Sequence, residues 1–411
     1  MLIKEPIKIT GQSLYQDVVT YAQMGDHRTA TEVDTKTAQW IRDELKKAGF
    51  TTELQTFDIP QYFIKEKSLT VSGKQVDCFP LWPVKSTGYE TIKALLVKMQ
   101  KGADQDNLKG SIALVTFPRA WGYLTLGKDH IDLIGDAAKA GAKAVIAVQE
   151  APSPEIWAIN VKLNEKEQPI PVIQVSPKDE KTLLLAIEKS EEVSLKLNVT
   201  FEAKAKTQNV IGKIGNGQKC IVVSTPTSGW FQSGGERGPG VSLFLNLARW
   251  VGQKQHNVSF IFVATSGHER FYVGMDRYME NLAPKPENVA TWLHLGASIG
   301  TWSWKQTPDS MEKVPREPKE QSLVCSPQLL STLQTSFADA KSFIPTSNGN
   351  NAGEVDGILK KGYNAFGIFN GHMYFHTPAD GPENTAPELL EPIFVSLTKT
   401  FDAVEADFIG K

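Results

Sequence analysis

Strand-length apolar runs alternating with helix-length stretches dominate the second half of this chain, and that rhythm permits few folds. Asn209 to Ile214, Cys220 to Ser224 and Val258 to Ala264 are short runs of β-formers, and Ala290 to Leu295 and Ala365 to Phe369 continue the series. Between them, Val241 to Val251 reads as a helix whose apolar side includes Leu243, Leu247 and Trp250, and Pro387 to Val404 as a closing helix. Strands alternating with helices predict an α/β fold, a mainly parallel sheet sandwiched by helices. In such sheets ligands gather beyond the carboxyl ends of the strands. The loops of interest are therefore 225–239, 265–270, 296–305 and 370–380. The polar, proline-containing stretch 307–321 reads as a loop.

The first half has a different texture. Thr35 to Lys47 places Ala38, Ile41 and Leu45 on one helical face and closes at Ala48-Gly49, where glycine takes a left-handed cap. Thr51 to Ile59 then alternates as a strand. From about residue 65 to 205 a separate module is expected. It has strands at Ser111 to Phe117, Ala144 to Val148 and Pro169 to Val175, and helices at Ile134 to Ala140 and from Leu183. Its length suits one domain, so the expected division is 1–64 with 206–411 around an insert at 65–205.

Composition excludes several classes. Of 411 residues, 41% are hydrophobic and 22% charged, with a formal net charge of -2; this gives no electrostatic case for nucleic acid or an anionic membrane. No apolar run is long enough to span a bilayer. The start, Met1-Leu2-Ile3-Lys4-Glu5-Pro6, lacks a signal-peptide core, and Cys78, Cys220 and Cys325 have no metal-ligand spacing. A cytoplasmic protein is the expectation, acting on a small molecule or short peptide, with homo-oligomers left open.

Three motifs carry chemistry: Thr225-Pro226-Thr227, Gly267-His268-Glu269 after the Val258 to Ala264 run, and His376-Thr377-Pro378-Ala379-Asp380. Their order resembles the co-catalytic dizinc aminopeptidase family that includes glutamate carboxypeptidase and the transferrin-receptor ectodomain. Gly25-Asp-His-Arg-Thr-Ala looks like the family's opening. Leu108-Lys-Gly-Ser-Ile-Ala-Leu-Val, Ala137-Ala-Lys-Ala-Gly-Ala and Pro171-Val-Ile look like its inserted protease-associated α/β domain. Thr207-Gln-Asn-Val-Ile-Gly-Lys-Ile resembles the strand entering the metal site.

The resemblance implies two zinc ions, held by a His in His-x-Asp, a bridging Asp, the second Glu of Glu-Glu, a later Asp and a final His. The first Glu would be the general base. Carried over, the first His becomes Thr225, its supporting Asp Thr227, the later Asp Gly296, and the base His268; only Glu269 and His376 match. The bridging position is Glu236 counted back from the helix start at Gly240-Val241, and Arg237 counted forward from Thr225. Helix starts shift less than loops, which favours Glu236. The implied metal site is therefore degenerate: at most one divalent ion such as zinc, on Glu236, Glu269 and His376, or none. In the metal-free alternative Arg237 pairs with Glu269 and replaces the missing charge.

His268 suits proton transfer near neutral pH. His294 and His372 read as structural or surface residues. Trp230, Phe231, Tyr272, Trp302, Trp304 and Tyr374 fall on the strand-end loops and suggest a pocket for an apolar or aromatic group. Ser228 and Ser266 lie outside any Gly-x-Ser-x-Gly elbow. Three readings follow. The first is a repurposed enzyme using acid/base chemistry on His268, Glu269, Glu236, Arg237 and His376. The second is a non-catalytic ligand- or partner-binding homologue, and the third a mononuclear-metal aminopeptidase or amidohydrolase.

Overall fold

Cys220–Pro226 and Val289–Leu295 are buried along their whole lengths, as strands covered on both faces must be. They pair in parallel with each other, Cys220–Pro226 pairs in parallel with Ser259–Thr265, and Val289–Leu295 pairs in parallel with Ala365–Phe369. Outside this parallel centre the sheet is mixed. Gln321–Cys325 runs antiparallel to Ala365–Phe369 and parallel to Phe343–Thr346, while residues 210–214 run antiparallel to Ser259–Thr265. The result is a mixed α/β fold, a large sheet flanked by helices.

Strand alternation divides the core. Ile221, Val223, Leu293 and Leu295 join the helices Gly11–Ala22, Gly238–Val251 and Pro387–Ala406 in one cluster. Cys220, Val222 and Trp292 point the other way, to Met275 and Tyr278 of helix Val273–Asn281 and Ile358 of helix Gly353–Lys360. Helix Gly238–Val251 is buried nearly all round and starts with Pro239 in its first turn, where a missing N–H costs nothing.

The computed structural model describes residues 8–99, 106–118, 125–307, 311–318, 320–347 and 351–408. Within them no helix is long and apolar enough to cross a membrane, and the three cysteines are free and buried. The chain forms two compact units: Met1–Phe57, Lys206–Phe375 and Asp380–Lys411 make one, Asp58–Ala205 and His376–Ala379 the other. In the second unit Ile92–Lys98, Ile112–Phe117, Ala144–Gln149 and Val172–Val175 form a parallel run, closed by the antiparallel Cys78–Pro80. Phe117, Ile134, Val145 and Ala147 are among its core residues.

Three sequence expectations need correction. The strand expected at Thr51 to Ile59 continues to Val71, and the one expected at Asn209 begins at Glu192. The stretch 307–321, expected as loop, contains Met311–Val314, which forms a hairpin with Ser303–Gln306; residues 308–310 and 319 lie outside the described residues.

Candidate functional site

Because the central strands are parallel, the segments after Pro226, Thr265, Leu295 and Phe369 emerge from one edge of the sheet. The candidate site is built there, around Arg237 at the start of helix Gly238–Val251. Its Nη2 lies 2.8 Å from Glu236 Oε1 and 3.1 Å from Glu269 Oε1, and its Nε donates to the Ser228 carbonyl at 2.9 Å. Arg237 and Glu236 are fully buried and Glu269 is 3% exposed. Burial alone would lower the pKa of the guanidinium. The two carboxylates reverse that and hold it above its ordinary range.

The carboxylates are themselves fastened. Ser228 Oγ donates to Glu269 Oε2 at 2.8 Å and accepts from the backbone N–H groups of Gly267 and His268. That use of both lone pairs makes Ser228 a brace for the Glu269 loop and a poor nucleophile. Asp380 accepts from the N–H groups of Gly235 and Glu236 and faces His372 Nε2 at 2.9 Å, and His372 Nδ1 meets Ser298 Oγ. Ser233, Phe271, Tyr272 and Ser298 all have left-handed backbone, with φ of 50°, 58°, 65° and 56°. Each such residue stores on the order of 1–3 kcal/mol, so these loops are held by their bonds against their own preference.

A second group adjoins the first. His268 Nδ1 is 2.8 Å from Glu354 Oε1, and Glu354 Oε2 is 3.8 Å from His294 Nε2. Burial pushes the Glu354 carboxyl up to about 8, against the pull of Arg237. Burial, aided by Arg237, pushes His294 down to about 3. The Tyr272 ring packs on His268 with centroids 4.8 Å apart. On the far side of Ser228, Tyr21 donates to the Thr227 carbonyl and stacks on His27 at 3.7 Å; burial lowers His27 to about 3.

The remaining sequence candidates fall out as follows. Trp230 and Phe231 are buried, and Trp304 meets Tyr374 edge-on at 5.1 Å. Trp302 is half-buried, and its backbone N–H donates to the Asn384 carbonyl. His376 has a left-handed φ of 59° and its Nδ1 lies 3.1 Å from the Ala158 carbonyl within the second unit. Glu354 was not foreseen. Its sequence signal is faint, one acid opening a short helix whose Val355 and Ile358 are buried.

Thr225, Thr227 and Gly296 stand where the resemblance implies a His, its supporting Asp and a later Asp. Among the described residues no group of three His, Cys, Asp or Glu side chains is arranged to hold a metal ion. A guanidinium already stands between the two glutamates. Thr225 Oγ1 is spent on the Leu295 carbonyl and Thr227 Oγ1 on that of Thr265. At Gly296 a Cβ would come within 2.9 Å of Phe369 Cβ and 3.0 Å of the Ile368 carbonyl oxygen, leaving no room for an aspartate.

No protein-family model matches the chain. In sequence it is similar to aminopeptidase YwaD of Bacillus subtilis (strain 168), 25% identical over 271 residues, which are 64% of this chain and 56% of that protein. The match thus spans little more than half of that relative. In fold it is similar to the zinc aminopeptidase BSAP of Bacillus subtilis, with a TM-score of 0.74, 18% identity, and coverage of 99% of this chain and 98% of the other. A peptidase M28 precursor from Shewanella amazonensis SB2B gives a TM-score of 0.70 at 14% identity, covering 98% of this chain and 96% of the other. The fold is that of the zinc aminopeptidases, and the sequence similarity relates the chain to the same proteins.

Proposed function

We propose that the chain is an aminopeptidase-scaffold enzyme of the hydrolase type that acts without a dizinc centre on a small amide or short peptide. The observation that carries this is Arg237 lodged between Glu236 and Glu269. Its Nη1 is buried and has no hydrogen-bond partner. A buried donor left unspent costs about 1–3 kcal/mol, which an acceptor oxygen recovers. A substrate carbonyl oxygen there would gain negative charge opposite a fixed cation as the tetrahedral centre forms. Glu269 keeps acceptor capacity beyond its bonds to Ser228 and Arg237 and would take the proton of the attacking water. His268 would hand a proton to the departing nitrogen. The aromatic loop residues favour an apolar or aromatic substrate group. Residues 65–205 are read as the protease-associated insert.

The test is turnover of aminoacyl arylamides and short peptides, with metal content measured on the same preparation. Expected are turnover that survives a chelator and a fall of about 100-fold or more in His268→Ala and in Glu269→Gln. One or two tightly held ions with chelator-sensitive turnover would overturn the metal-free site and restore a metalloaminopeptidase.

One observation favours a second reading, a non-catalytic binding homologue. Arg237, Glu236 and Glu269 are almost wholly out of contact with solvent and spend much of their charge on one another. Absence of turnover, with ligand binding unchanged in both variants, would select it.

A further inference from the structure

The strongest unassigned feature is a line of buried polar groups that ends on His268. Trp292 Nε1 is 2.8 Å from Ser224 Oγ, Ser224 Oγ is 3.0 Å from His294 Nδ1, and His294 Nε2 faces Glu354 Oε2 at 3.8 Å. The carboxyl's other oxygen lies 2.8 Å from His268 Nδ1. Trp292, Ser224 and Glu354 are buried and His294 is 2% exposed.

Donor accounting gives this line a direction. An indole nitrogen only donates, so Ser224 Oγ accepts from Trp292. The Ser224 hydroxyl hydrogen then has His294 Nδ1 as its acceptor; the opposite arrangement would strand a buried O–H. With Nδ1 accepting, neutral His294 carries its hydrogen on Nε2, toward Glu354 Oε2. That oxygen lies beyond hydrogen-bond reach of the His294 N–H and has no hydrogen-bond partner, so an ionised carboxyl would be left half-satisfied; a neutral carboxyl places its hydrogen on Oε1, toward His268 Nδ1. Burial supports both assignments, keeping His294 neutral and Glu354 protonated at neutral pH.

We infer that Glu354 is a positioning residue, whose buried carboxyl donates to His268 Nδ1 and so makes the ring present Nε2–H as the proton donor at the site. This rests on His268 as the proton-transfer group of the function proposed above. No element of the line needs a metal or a bound cofactor, since every donor and acceptor in it is a side chain of this chain.

The test has two independent arms. In histidine-¹⁵N-labelled protein, His268, assigned by loss of its signal in His268→Gln, is expected as the Nε2–H tautomer. Glu354→Gln, whose amide also donates, is expected to keep that tautomer, and Glu354→Ala to lose it. In turnover, Glu354→Ala is expected to lower kcat on the order of 100-fold with KM little changed, and Glu354→Gln to recover most of the loss. A wild-type Nδ1–H tautomer, or a tautomer unaffected in Glu354→Ala, overturns the inference. If Glu354→Ala does not fold, the wild-type and Gln tautomers decide. If no substrate is turned over, the proposed function fails while the tautomer arm still judges Glu354.

Discussion

Arg237 fixes the electrostatics of its surroundings. Its guanidinium pairs with both the buried Glu236 and Glu269 carboxylates, and removing it takes that partner from each. Arg237→Ala is therefore expected to destabilise the fold by about 3–5 kcal/mol, read from urea denaturation; Arg237→Lys should recover part of this, since an ammonium lacks the planar fork that reaches several acceptors at once. The pairing of Arg237 with Glu269 was legible in the sequence, because both follow strands whose ends share an edge. Ser228 and Glu354 were not legible as partners. Ser228 earns its place through two backbone N–H groups some 40 positions later, and Glu354 meets His268 across 86 positions. Residue type and local spacing carry no trace of either contact.

Among elements, helix Gly238–Val251 sets the position of the site, and one glycine sets the position of the helix. A Cβ on Gly240 would lie 2.9 Å from Thr225 Oγ1 and 3.1 Å from the Gly296 carbonyl oxygen. These neighbours belong to strand ends and have little freedom to yield. Gly240→Ala is expected to cost about 1–3 kcal/mol, measurable as a lowered urea midpoint with unchanged slope, and to shift Arg237 with the helix. Central strands and this helix could be read from the sequence because burial on both faces leaves nearly unbroken apolar runs. The long strand Glu192–Ile214 was read only at its end. Val193, Leu195 and Leu197 do alternate with half-exposed or exposed neighbours, a period-two signal, but the charged residues from Glu202 to Lys206 interrupt it.

At the scale of the molecule, buried titratable groups oppose each other. His27 and His294, lowered from 6.5 to about 3, take up protons more readily when unfolded, so stability falls as pH drops below 6.5. Asp34, raised to about 6, and Glu354, raised to about 8, hold protons more tightly when folded, and their contribution is lost as pH rises through those values. Between pH 6.5 and 8 Glu354 is the main group of these four still changing. Tm is expected to decline across that interval, with a limiting slope of about 1.4 kcal/mol per pH unit. Glu354→Gln, which cannot ionise, should flatten the decline, as a series of thermal melts would show. A decline of equal steepness in that variant would refute the assignment.

The crowding at Gly296 has a consequence for substitution at that position. Supplying aspartate at 296 by a single substitution would press a side chain into Phe369 and the Ile368 carbonyl before it could reach any ion. With close-packed backbone on that side and a guanidinium between Glu236 and Glu269, Gly296→Asp is expected to cost stability through overpacking, a loss that a urea titration would show.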